Sequence, residues 1–135
     1  MIDSSSLKKK LMESSFHRDL NNYIDSFVHL VYRVTRKFPR EELFGGTSQL
    51  KRAAMLIMLN YKEGFARRKR LVKVNFYETS FGSSKECKYL ADFFFRENWI
   101  SKDEFSELDR LTDIIASMLW STIEALENEG KNSQS

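Results

Sequence analysis

Leu20-Asn21-Asn22-Tyr23-Ile24-Asp25-Ser26-Phe27-Val28-His29-Leu30-Val31-Tyr32-Arg33-Val34-Thr35-Arg36-Lys37-Phe38-Pro39 is the stretch that decides the fold. Its apolar side chains Leu20, Ile24, Phe27, Val31, Val34 and Phe38 recur at alternating steps of four and three. That spacing lines one face of a helix packed into a bundle. Pro39 predicts the end of the helix, because the residue before a proline is pushed out of helical geometry. Ser14 or Ser15 is placed to cap its start. Upstream, residues 1–13, with Lys8-Lys9-Lys10, are predicted to be a flexible basic segment in which Ser4 to Lys10 is frayed or forms a short extra turn.

Three more helices follow from the same reading. Glu41 to Gly46 is predicted as a turn with Gly45 and Gly46 free to take positive φ, and Thr47 or Ser48 as the next cap. The second helix sets Leu50, Ala53, Ala54, Ile57, Met58 and Tyr61 on one face, yet Met55, Leu56 and Leu59 point elsewhere. A helix apolar on so many sides is expected to bury a further face against another chain. Gly64 is expected to end or loosen it. The third helix should run from about Lys69 to Asn98, with Phe76, Ser80, Ser83, Cys87, Leu90 and Phe94 inward and Tyr77, Phe81, Ser84 and Ala91 beside them. Ser80, Gly82, Ser83 and Ser84 cost helix propensity, which points to close approach of a neighbouring helix. Phe93-Phe94-Phe95 spreads three rings around the axis, so Phe93 and Phe95 join Met55, Leu56 and Leu59 as candidate oligomer-interface residues. Ser101-Lys102-Asp103-Glu104 is a capping box. It opens a fourth helix whose seam is Phe105, Leu108, Leu111, Ile115, Met118, Leu119, Thr122 and Leu126, ending near Asn128 to Gly130. The expectation is an all-α, up-down-up-down antiparallel four-helix bundle over residues 14–130, with 131–135 a disordered tail.

Composition supports this class. The 135 residues suit one domain, and Gly 5 and Pro 1 are too few turn-formers for an all-β chain. The single cysteine, Cys87, excludes an intramolecular disulfide and suits a reducing compartment. With no secretory leader pattern and no run of about 18 apolar residues, a cytoplasmic location and no membrane partner are expected. The net charge of +3 is unevenly spread: residues 1–100 hold 19 Lys and Arg against 11 Asp and Glu, residues 101–135 hold 3 against 8. Such a basic body has a surface suited to polyanions.

Arg67, Arg68, Lys69, Arg70 and Lys73 crowd around the start of the third helix, where the helix dipole is already positive. Cations there disfavour the helix unless an anion is bound, and phosphate is the natural one. Lys51, Arg52 and Lys62 on the preceding helix are expected to extend this nucleic-acid-binding patch. The competing reading makes the cluster solvated loop charge, or partner to Asp103, Glu104 and Glu107 of an adjoining chain. No base-reading motif accompanies it. Metal and cofactor sites are not expected: neither His17 nor His29 follows a glutamate by three positions, and Asp25 with His29 reads as a hydrogen-bonded pair. Asn60 and Glu63 read as a buried network capping a loop, Cys87 as an inert thiol, and catalysis is not expected.

Several strings fall together in order and spacing: Lys37-Phe38-Pro39-Arg40-Glu41-Glu42, Thr47-Ser48-Gln49-Leu50-Lys51-Arg52-Ala53-Ala54, Asn60-Tyr61-Lys62-Glu63-Gly64 and Phe81-Gly82-Ser83-Ser84-Lys85-Glu86, with Met118-Leu119, Ile123 and Leu126 in the last helix. They resemble the four-helix-bundle proteins encoded in 23S ribosomal RNA intervening sequences, over roughly Phe16 to Leu126. The resemblance implies a bacterial homopentamer related to Avd, the accessory protein of diversity-generating retroelements, whose basic pentamer binds nucleic acid and the element's reverse transcriptase. One departure is Tyr61-Lys62, where the family usually has apolar or small residues; the lysine makes this surface more basic. Two functions are therefore carried forward. One is a non-enzymatic oligomer contacting RNA, DNA or a nucleic-acid enzyme; the other is a homo-oligomeric scaffold for a protein partner alone.

Overall fold

Leu20, Ile24, Phe27, Val31, Val34 and Phe38 are all buried, and the rest of the chain is arranged around that seam. The computed structural model describes residues 3–132 and comprises α1 (Ser4–Thr35), α2 (Ser48–Ala66), α3 (Arg70–Arg96) and α4 (Lys102–Asn132). Among the described residues there is no strand. α1 packs against α2 and α4, and α3 against the same two, which is the square of an up-down-up-down bundle. The core closes with Leu50, Ile57, Leu108, Ile115 and Leu119, each fully buried.

α1 starts ten residues earlier than the cap expected at Ser14 or Ser15. Asp3 caps it instead, its carboxylate accepting from the Ser6 amide at 2.8 Å. Ser4 to Lys10 is thus helical throughout, with Leu7, Leu11 and Met12 exposed. Of the expected tail, Lys131 and Asn132 continue α4, while residues 133–135 lie outside the described residues.

The α1–α2 connection also differs from expectation. Arg40–Glu42 is a single 3₁₀ turn, and Leu43–Thr47 a wider one. Among the described residues no glycine has positive φ; Gly45 sits at φ −108°, ψ −108°. Gly46 is needed for closeness: a Cβ there would fall 2.8 Å from the Phe94 ring. Nor do Thr47 and Ser48 supply the cap. The Glu42 carboxylate accepts from the Gly46 amide at 3.0 Å and caps the wider turn that leads into α2.

The ends of α3 and α4 obey local rules closely. α3 stops at Asn98, which takes φ 66°. The Trp99 amide reaches back to the Phe94 carbonyl at 2.9 Å and the Asn98 amide to that of Phe95 at 2.9 Å. Trp99 stacks on Phe94 with centroids 5.3 Å apart, the apolar contact that accompanies this left-handed helix stop. The capping box opening α4 is formed as expected: the Ser101 amide donates to Glu104 at 3.0 Å, and the Glu104 amide to Ser101 Oγ at 3.2 Å.

In α3, Ser80, Ser83 and Ser84 are buried, and Ser80 Oγ donates to the Ile57 carbonyl at 2.7 Å, so small side chains do bring α2 and α3 together. Two expectations there fail. Phe76 is only half-buried, because Val74 and Tyr77 take the inward positions. Gly82 faces open space, with nothing within 4 Å of an added Cβ. Gly64 neither ends nor loosens α2, which runs on to Ala66. It is buried at 2.7 Å (Cβ position to ring) from Tyr77.

Candidate nucleic-acid interface

Arg67 to Lys69 links α2 to α3 in extended backbone, with Lys69 as the residue preceding the first helical turn. The Lys69 side chain does not cap that turn, and no acidic residue lies within it. The start of α3 carries the partial positive charge of a helix N-terminus, and the C-terminal end of α4 lies against it where Arg70 meets Gly130. The five cations around this point have different fates. Arg67 bonds Glu63 at 2.6 Å and lies over the Phe76 ring at 5.3 Å. Lys73 Nζ donates to the carbonyls of Gly64 and Phe65 at 3.1 Å each, closing the C-terminal end of α2. The Arg70 guanidinium lies across Gly130 of α4, where a Cβ would overlap it. Arg68 and Lys69 are exposed and make no hydrogen bond or ion pair among the described residues, and the same is true of Lys62 on α2.

Lys51 and Arg52 do not join this patch. About 24 Å of helix separates Lys51 from Arg67, at about 1.5 Å per residue. Lys51 instead lies over the Tyr32 ring at 4.4 Å, and Arg52 flanks Phe44 and Leu56 at the opposite end of α2. What the fold brings to the α2–α3 turn in their place is the N-terminal half of α1. Lys10, Arg18 and Lys62 line a groove of about 500 Å³ between α1 and α2, and Lys8 and Lys9 flank a second, of about 640 Å³, beside α4. Nothing in the sequence placed Lys8 to Lys10 here, because their helix packs antiparallel to a segment more than 50 positions away.

The same end is braced by a polar–aromatic cluster. The Tyr61 hydroxyl donates to the His17 carbonyl at 3.1 Å and meets His17 Nδ1 at 2.9 Å. A hydroxyl has one proton to give, so Nδ1 is the donor in that second contact. Burial, with Lys73 nearby, holds the His17 pKa below its ordinary value and keeps the ring neutral. Burial raises the Tyr61 pKa and pushes Tyr77 up to about 12, so both hydroxyls keep their protons. Asn60 and Glu63 do not form the buried network expected of them. Asn60 Nδ2 folds back onto the Leu56 carbonyl at 2.9 Å, and Glu63 is spent on Arg67 at the surface.

Cys87 is fully buried and burial raises its pKa, so the thiol stays protonated. His29 and Asp25 approach to 3.5 Å on the exposed side of α1, and among the described residues no cluster of three or more His, Cys, Asp or Glu could hold a metal. Among the described residues no helix is long and apolar enough to cross a membrane.

Of the five candidate interface residues, Met55, Leu56 and Leu59 share a shallow groove of about 520 Å³ with Leu43 and Phe44, the latter 93% exposed. Phe93 is also partly open, beside exposed Tyr89 at 6.4 Å. Phe95 is partly buried and stacks on Phe105 with centroids 4.6 Å apart, so one face of its ring is taken within its own chain. Helical spacing sends the three rings in three directions but does not reveal that α4 supplies a partner for one of them.

The family model for 23S rRNA-intervening sequence proteins matches residues 21–121. No curated protein matches the chain. Among solved structures, a protein of unknown function from the S23 ribosomal protein family of Bacteroides thetaiotaomicron VPI-5482 superposes with a TM-score of 0.74 at 16% identity, covering 81% of this chain and 98% of the other. At that identity the likeness speaks for the four-helix fold.

Proposed function

The chain belongs to the family of 23S rRNA-intervening sequence proteins, and on that footing we propose that it is a non-enzymatic binding protein whose α2–α3 end contacts nucleic acid. The observation that carries this is the pair Arg68 and Lys69, exposed and without a bonded partner among the described residues at a start of α3 that Lys69 does not cap, with Lys62 exposed on the last turns of α2. Arg68 and Lys69, kept without a bonded counter-charge just before a positive helix end, are electrostatically costly alone and favourable with phosphate, and Lys62 near the end of α2 adds a further exposed cation. The family resemblance in the sequence adds a nucleic-acid enzyme, a reverse transcriptase, as the protein partner to try first.

The experiment is binding of labelled oligonucleotides across a salt series. Arg68→Glu with Lys69→Glu is expected to weaken binding at least about tenfold near 0.1 M salt. It should also flatten the dependence of log affinity on log salt by about 1.4–1.8, because two phosphates are no longer neutralised. Binding unchanged by this double reversal excludes the turn as the contact.

The proposal extends to a homo-oligomer, the pentamer that the resemblance implies. Its support is the open groove around Phe44, Met55, Leu56 and Leu59, which a second copy would cover. Sedimentation should show one oligomer at micromolar concentration, and Phe44→Asp should shift it toward monomer by at least about tenfold in dissociation constant. A wild-type monomer at those concentrations refutes the assembly and leaves the cationic end unaffected.

A further inference from the structure

Phe65 stands at the penultimate position of α2 with 55% of its surface exposed, although Tyr61 one turn before it is buried. One side of its ring is supported by His17 at 5.3 Å and Tyr61 at 6.2 Å, which fixes its direction. The ring is the wall shared by the two grooves at this end. In the α1–α2 groove three cations, Lys10, Arg18 and Lys62, face one carboxylate, Glu13. In the other, Lys8 and Lys9 stand opposite Glu13 and Glu129, while Lys73 donates to the Gly64 and Phe65 carbonyls with its Nζ 6.0 Å from the Phe65 ring centroid, at the margin of that ring's face. Arg68 and Lys69 follow within four residues.

A braced, half-open aromatic ring with unpaired cations on either side is a stacking platform inside a polyanion track. From this the geometry points to single-stranded nucleic acid as the occupant, with an unpaired base seated on Phe65 and its flanking phosphates held by Lys10, Lys62, Arg68 and Lys69. The inference rests on the cationic-end reading above and narrows it. A duplex keeps its bases paired and stacked, so its phosphates reach the lysines but no base reaches the ring. A single strand satisfies both, and base–aromatic stacking tolerates any sequence because every base has a π-face. That agrees with the lack of base-reading motifs.

The test uses single-stranded DNA, single-stranded RNA and duplex DNA oligonucleotides of equal charge with the full chain, read by fluorescence anisotropy over a salt series. Single strands should bind at least about tenfold more tightly than duplex. Phe65→Leu keeps the apolar bulk and removes the π-face. It should weaken single-strand binding by roughly 5- to 100-fold, leave the salt slope and duplex binding unchanged, and be rescued by Phe65→Tyr. Thermal denaturation of each variant confirms the fold. Duplex binding as tight as single-strand binding, or Phe65→Leu indistinguishable from wild type, overturns this inference; salt-dependent binding that persists then leaves the cationic end standing. No binding of any oligonucleotide near 0.1 M salt overturns both. The two single-strand arms show whether the strand is RNA or DNA.

Discussion

Phe27→Ala is expected to lower the unfolding free energy by about 3–5 kcal/mol, the usual cost of removing a buried aromatic side chain. Phe27 is fully buried at the middle of the α1 seam, with Ile24 and Val31 a turn away on either side and Leu50, Ile57, Leu108 and Leu119 in the same core. Two costs add. The ring loses its transfer out of water, and the neighbours, held on three separate helices, close only part of the cavity. Domains of this kind are held by about 5–15 kcal/mol in total, so the variant should sit close to its unfolding threshold at 37 °C. Urea denaturation reads the result: the midpoint should fall with the slope unchanged. Phe44→Ala is the matched control, since the same ring at 93% exposure should change a monomer's stability by no more than about 0.5 kcal/mol. Equal losses at Phe27 and Phe44 would show that the seam is not where the fold is held.

Much of the bundle was readable because its signals are local. The four-and-three steps of α1, the capping box of α4 and the number of helices depend on residues within a turn or two of each other. What was not readable depends on partners far along the chain. Arg70 and Lys73 looked like free cations in the run Arg67 to Lys73. One lies across Gly130 and the other closes the end of α2, and no spacing rule announces either. Phe95 looked unhoused until Phe105 was placed beneath it. Lys51 and Arg52 share a helix with Lys62 and seemed to share its patch. Helix length sets them apart, and that arithmetic was available from the sequence. Phe65 was equally visible, an aromatic within Lys62-Glu63-Gly64-Phe65-Ala66-Arg67-Arg68, but only the exposure of its ring separates a platform from a core residue.

Glycine carries the sharpest case of one residue type meaning opposite things, and it yields the second large effect. Gly64 and Gly82 both lie inside helices, where glycine is about 1 kcal/mol worse than alanine. By propensity alone, alanine at either position stabilises. At Gly82 nothing stands within 4 Å of the new methyl, so Gly82→Ala should gain about 1 kcal/mol. At Gly64 the methyl would lie 2.7 Å from Tyr77 Cε1 and 2.8 Å from Cδ1. That ring is itself buried, with Tyr61 of α2 beside it at 5.9 Å, and has little room to give way. α2 and α3 must therefore separate, and overpacking of this kind costs about 1–3 kcal/mol, enough to cancel or exceed the propensity gain. Gly64→Val, with two further methyl groups in the same space and little propensity in its favour, should lose about 3 kcal/mol net. The damage would reach the binding end as well, because Gly64 precedes Phe65 and its carbonyl receives Lys73. Thermal or urea denaturation of Gly64→Val and Gly82→Ala should give shifts of opposite sign. Two stabilised variants would mean that α2 and α3 do not meet closely at Gly64 and Tyr77.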